Sequence, residues 1–240
     1  MLLCGIIGLP VPFSAIMILW VNLIADLPPV LSLGVDPAEP DVMTRRPRNP
    51  KDNIFNMRTI ILLLFQGFSI AALTVLVYGL TLLLEAPDAL HLGYRGALYT
   101  TVSGSSLGSS MDGEEVVDSS ATEKAQADLV RCQTLCLNVM TFMQLVHAYL
   151  SRSVRNTVFQ RNIFSNYWLV GGVLLSAACM VIGVYVPGLN SLLGQTSLPA
   201  IDWAKILGAC VVHIAFVEIY KVILRLKARN RVQGKWYDEV

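Results

Sequence analysis

Charge is scarce in this chain. Asp, Glu, Lys and Arg make up 15% of its 240 residues, hydrophobic residues make up 54%, and the mean hydropathy is +0.57. An average soluble domain carries about 25% charged residues, so the composition excludes an ordinary water-soluble globule. The net charge is +1, and no nucleic-acid partner is expected. Cys4, Cys132, Cys136, Cys179 and Cys210 form no Cys-x-x-Cys pair. Cys132 and Cys136 stand at helical spacing within or at the edge of an apolar run, so neither a disulfide frame nor a zinc site is indicated and packing is the better reading. No Gly-rich phosphate loop occurs, and no internal repeat is visible. Met1-Leu2-Leu3 has no basic n-region and no small-residue cleavage site follows, which argues against a secretory signal peptide.

Long apolar runs, by contrast, are plentiful. A helix needs about 20 residues to cross the roughly 30 Å hydrocarbon layer. Five runs meet that length: Phe13–Val35, Arg58–Leu84, Leu129–Leu150, Tyr167–Pro187 and Asp202–Leu224. Met1–Leu9 is apolar but only half a span, and Pro10-Val11-Pro12 separates it from the next helix. The expected fold is an all-α membrane protein, a polytopic helical bundle of five full transmembrane helices plus an N-terminal half-helix, with membrane lipid around it.

Basic residues predict the orientation. Arg45, Arg46, Arg48 and Lys51 follow the first span, Arg152, Arg155 and Arg161 the third, and Lys221, Arg225, Lys227, Arg229, Arg231 and Lys235 the last. The stretch from Glu85 to Asp128 is acidic, and Gly188–Ile201 carries no charge. By the positive-inside rule the basic segments are cytosolic, including the C-terminus. Thr100–Ala121 is Gly/Ser-rich and reads as part of a flexible extracytosolic loop spanning 85–128, and 225–240 as a basic cytosolic tail.

Within the first span, Asn22 and Asp26 share a helix face at four-residue spacing, and Pro28-Pro29 follow. A carboxylate at membrane depth is costly enough to point to function. The prolines offer no N–H, so the carbonyls of Ile24 and Ala25 lose their usual helical partners and are expected to be free acceptors. A carboxylate, an amide oxygen and released carbonyls in an opened helix suit a hard cation; an Asn that only packs and a tolerated kink is the structural alternative.

A second polar set, Thr134, Asn138, Thr141, Gln144 and His147, forms one stripe on the third span, which must face protein or water. Interhelical hydrogen bonding and cation ligation both fit it. His213 and Glu218 are read as structural, Glu218 pairing with Lys221, and Trp20, Trp168 and Trp203 as packing or interfacial anchors.

The passage from Leu9 to Arg48 contains Leu19-Trp20-Val21-Asn22-Leu23-Ile24, an Asp four residues after the Asn, Leu33-Gly34-Val35-Asp36-Pro37, and a Pro-Asp-x-Met-x-x-x-Pro-Arg string from Pro40 to Arg48. In that order these motifs closely resemble the sixth membrane helix and following cytosolic loop of type II P-type ATPases, the ATP-driven cation pumps. The remaining spans follow the order of the seventh to tenth helices, and Met1–Leu9 then resembles the end of the fifth. The resemblance implies that residues 1–240 are the C-terminal transmembrane domain of such a pump. It makes Asn22, Asp26 and, in the eighth helix, Gln144 cation ligands. The transported cation is then calcium or manganese first and sodium next. Ala25 stands where the family often has a side-chain oxygen and Gln144 where it has an acid, which points to one ion site instead of two; Leu27 replaces a glycine common in the family, which would limit how far the helix opens.

The family's phosphorylated motif, Asp-Lys-Thr-Gly-Thr, is absent from this sequence. ATP and magnesium would act in catalytic domains the chain lacks, so its partner is expected to be the remainder of the pump or a full-length pump. Two alternatives differ in class: a noncatalytic membrane protein that binds and regulates a full pump, and an unrelated channel or carrier half.

Overall fold

A computed structural model describes residues 2–37, 57–90, 119–152 and 166–237. Arg45, Arg46, Arg48, Lys51, Arg155 and Arg161, and most of the Gly/Ser-rich stretch, lie outside them. The described residues form α1 (Leu2–Ile7), α2 (Ala15–Trp20), a π-helical turn (Val21–Asp26), α3 (Leu27–Leu33), α4 (Met57–Glu85), α5 (Ser119–Ser151), α6 (Tyr167–Tyr185), α7 (Leu189–Leu193) and α8 (Ala200–Tyr237), with no strand among them. Among the described residues five segments are long and apolar enough to cross a membrane: Ala15–Leu33, Ile60–Glu85, Glu123–Ser151, Tyr167–Tyr185 and Ala200–Ile223. The half-helix before them is α1.

Two boundaries differ from the sequence expectation. The third span was expected to begin at Leu129, but α5 begins at Ser119. The intervening Glu123, Lys124, Ala125 and Gln126 are good helix formers, and polarity alone had assigned them to a loop. Glu85 likewise closes α4 instead of opening that loop. At the other end, α8 continues past the apolar run to Tyr237.

The third span is the central post: 56% of its apolar window is buried inside the protein, against 17% for the second span. Lipid tails are as apolar as leucine, so helices here associate through close packing and polar contacts. One cluster joins Met17, Val21 and Ala25 of the first span to Tyr78 and Leu82 of α4, Cys136 and Leu137 of α5, and Met180 of α6. A second joins Leu135, Val139 and Met143 of α5 to Val184, Ile206 and Cys210. Leu19, Leu64, Phe68, Leu175 and Val211 point outward, as lipid-facing residues do. All five cysteines are free thiols.

Two ion clusters fasten the ends of the bundle. At one end Asp202, fully buried, accepts from Arg131 Nε at 2.7 Å and from Lys205 Nζ at 2.9 Å, while Glu85 pairs with both cations. This joins α4, α5 and α8. At the opposite end Arg152 Nη2 donates to Asp36 at 2.7 Å and Asn166 Nδ2 to the same carboxylate at 3.1 Å, joining the ends of α3 and α5 to the start of α6.

Candidate cation site

The first span is built in three pieces for local reasons. Ser14 caps α2 by accepting from the Met17 N–H at 3.2 Å. After the six residues of α2 the helix widens into the π turn Val21–Asp26, where backbone bonds reach five residues back instead of four. Pro28 and Pro29 occupy the first turn of α3, where a missing N–H is tolerated, yet they withdraw the donors that Ile24 and Ala25 would meet in a regular helix. Such π turns recur at functional sites.

The carbonyl of Ile24 was expected to be free, and it is not: Ser176 Oγ on α6 donates to it at 3.0 Å. The prolines revealed the missing donor, while the replacement comes from 152 residues further along the chain.

The π turn presents two faces. Val21 and Ala25 are buried in the apolar cluster against α5. Asn22 is exposed and Asp26 half-buried, and at four-residue spacing both fall beside the packed face, on a side that the described residues leave open. Ala25, which lacks the side-chain oxygen often found at this position in the family the sequence resembles, is fully buried among apolar side chains.

Gln144 faces elsewhere. It lines a cavity of about 390 Å³ with Cys4, Phe13, Ala71, Thr74 and Met140 among others, and neither Asn22 nor Asp26 is in that lining. Its buried Oε1 accepts no hydrogen bond from the described residues. The structure thus leaves Asn22 and Asp26 outside the packed face of the first span and directs Gln144 into a separate recess. Among the described residues no three His, Cys, Asp or Glu side chains form a metal-sized group.

The rest of the stripe on α5 is scaffold. Thr134, Asn138 and Thr141 are fully buried and each donates to a carbonyl one turn back, all at 2.8 Å. Thr134 also accepts from the Thr196 N–H at 3.1 Å, which ties down the segment before α8. His147 and His213 meet at 3.3 Å between ring nitrogens, and His213 meets Ser69 Oγ at 3.4 Å. Glu218 stands 3.7 Å from Lys221, whose ammonium also donates to the Leu150 carbonyl at 2.7 Å near the end of α5. Trp203 donates to the Tyr185 hydroxyl at 2.7 Å, and Trp168 is exposed, as anchors would be.

The sequence reading missed Arg131, Asp202 and Lys205 altogether. An Arg inside an apolar run, facing an Asp-x-x-Lys pair in the last span, was the available signal, because charge at membrane depth needs a partner.

Comparison with known proteins agrees with this architecture. A family model described as "Cation transporting ATPase, C-terminus" matches residues 10–223. Calcium-transporting ATPase 1 of Bacillus cereus is 31% identical over 218 residues, covering 90% of this chain and 22% of that protein. Calcium-transporting ATPase of Bacillus subtilis is 28% identical over 208 residues, covering 87% and 19%. Human calcium-transporting ATPase type 2C member 1 is 26% identical over 231 residues, covering 96% and 20%. The chain spans about a fifth of the length of these relatives. With five apolar spans in a helical bundle and a family match over most of its length, it is an integral multi-pass membrane protein and belongs to the cation-transporting P-type ATPases, as a C-terminal membrane region of a type II pump.

Proposed function

We propose that this chain supplies part of the ion-binding site of an ATP-driven cation pump, with Asn22 and Asp26 as ligands and calcium as the first candidate cation. The observation that carries this reading is the π turn: it contains both Asn22, exposed, and Asp26, half-buried, within an apolar span, beside the packed residues Val21 and Ala25. The calcium-transporting relatives support calcium; manganese and sodium follow, since both also accept carboxylate and amide oxygens. ATP and magnesium would act on other domains of the pump. Gln144 would join the site only through the recess it lines, as a further oxygen beside a partner element.

In this reading the cytosolic side is the end carrying Asp36, Arg152 and Asn166. The sequence supports this side by the positive-inside rule, since Arg45, Arg46, Arg48 and Lys51 follow the first span in the chain, Arg152, Arg155 and Arg161 the third, and further basic residues the last. The pump's phosphorylation would switch access to the Asn22/Asp26 site between the two sides of the membrane by moving the opened helix against its neighbours.

The test is terbium luminescence sensitised by tryptophan, with Tb³⁺ standing in for calcium and the chain in lipid nanodiscs. Trp20 lies two residues from Asn22. Saturable emission, displaced by calcium and lost in Asp26→Asn, is expected; emission indifferent to Asp26→Asn would refute the ligand role. The regulatory alternative would be favoured by co-purification of this chain with an intact pump whose activity it changes.

A further inference from the structure

Helix α6 runs beside the opened first span and meets it at successive turns. Asn166 donates to the Ser32 carbonyl at 3.1 Å. At Gly172 the backbones approach so closely that a Cβ would stand 2.6 Å from Ser32 Oγ and 2.9 Å from the Pro28 carbonyl oxygen. Ser176, fully buried, then donates to the Ile24 carbonyl. This last contact falls between the two candidate ligands, two residues after Asn22 and two before Asp26.

We propose that Ser176 is a positioning residue for the cation site: its hydroxyl replaces the N–H that Pro28 cannot supply to Ile24 and so holds the π turn in the shape that pairs Asn22 with Asp26. The proposal rests on the reading of those two residues as ligands. Ser176 itself commits its hydroxyl to a backbone carbonyl, so its role is to position and not to ligate. In hydrocarbon an unpaired carbonyl is strongly disfavoured. The proline pair offers no substitute donor, so without the hydroxyl the backbone at 22–26 must turn to find one. A hydroxyl on a neighbouring helix is a recognised way to satisfy a proline-freed carbonyl in a membrane; here the satisfied carbonyl lies between two prospective ligands, so the cap also sets their relative direction.

The experiment is a double-mutant cycle on the full chain in nanodiscs, read by Tb³⁺ affinity and by amide hydrogen exchange at residues 22–26 without cation. Ser176→Ala should weaken Tb³⁺ binding about two- to tenfold, the range for one lost hydrogen bond, and speed exchange at those amides. In Pro28→Ala the new N–H can serve Ile24, so Ser176→Ala added to it should change affinity less than twofold. Because Ser176→Ala could also act through packing, Ser176→Thr and Ser176→Val, equal in shape, are compared: the hydroxyl-bearing variant should bind more tightly and exchange more slowly. Additive effects of Pro28→Ala and Ser176→Ala, or equal behaviour of the Thr and Val variants, would overturn the proposal. Binding that responds to Asp26→Asn but ignores Ser176→Ala would overturn positioning alone. Binding that ignores Asp26→Asn would overturn the ligand reading and the positioning role with it.

Discussion

In α5, Thr134, Asn138 and Thr141 are fully buried and donate to carbonyls of their own helix. In the first span Asn22 and Asp26 stand beside the packed face, and a carbonyl between them is satisfied from another helix. Both segments place polar side chains at helical spacing within an apolar run, so spacing alone does not separate them. What separates them is backbone continuity. The regular helix of α5 satisfies its own peptide groups and the donors of Thr134, Asn138 and Thr141 fold back onto it, which leaves only the buried amide oxygens of Asn138 and Gln144 without a partner among the described residues. The proline-interrupted helix has a carbonyl without a local donor, and oxygen-bearing side chains beside it can turn outward.

If α5 and the ion clusters are scaffold while the opened turn is the site, stability and cation affinity should respond to different substitutions. The largest effect should come from Asp202→Ala, which removes the buried carboxylate shared by Arg131 and Lys205 and leaves both cations to Glu85 alone; each hydrogen bond lost to a charged group costs about 1.5–3 kcal/mol. Thermal unfolding in detergent should show that loss while Tb³⁺ affinity of the folded fraction stays within twofold, and a parallel loss of affinity would break the distinction. Gly172→Ala should cost about 1–3 kcal/mol by forcing a methyl against Ser32 and Pro28, and it should disturb both readouts because it separates α3 from α6. Asn22→Ala, on an exposed position, should leave unfolding unchanged yet weaken cation binding roughly tenfold, at the low end of what metal-site residues contribute. The smallest effect belongs to Thr141→Val, below about 1 kcal/mol in stability and with no change in binding, since its hydroxyl only back-bonds to the Leu137 carbonyl of its own helix, whose helical hydrogen bond is already made.

Much of the fold was legible in the sequence because apolar length in a bilayer permits few structures. All five spans and the half-helix were readable in this way. The start of α5 was not, since Glu123, Lys124 and Gln126 are polar and helix-forming at once and the reading weighed only their polarity. For the candidate site, Asn22, Asp26 and the proline pair carried their own signal. Gln144 was placed on the correct stripe, but helical spacing does not say which neighbouring helix a stripe faces, and its recess lies apart from Asn22 and Asp26. Ser176 left no local trace: a serine in an apolar helix reads as packing until the carbonyl it serves is known. The same holds for Asp36, whose partners Arg152 and Asn166 stand 116 and 130 residues away.

The central claim is that the Asp26 carboxylate binds the cation. Infrared difference spectroscopy on the chain labelled with carboxyl-¹³C aspartate, with and without calcium, observes that group directly. The account predicts an aspartate carboxylate band that shifts on calcium addition, vanishes from the difference spectrum in Asp26→Asn, and persists in Asp202→Ala. Calcium bound with the difference spectrum unaltered by Asp26→Asn would contradict it.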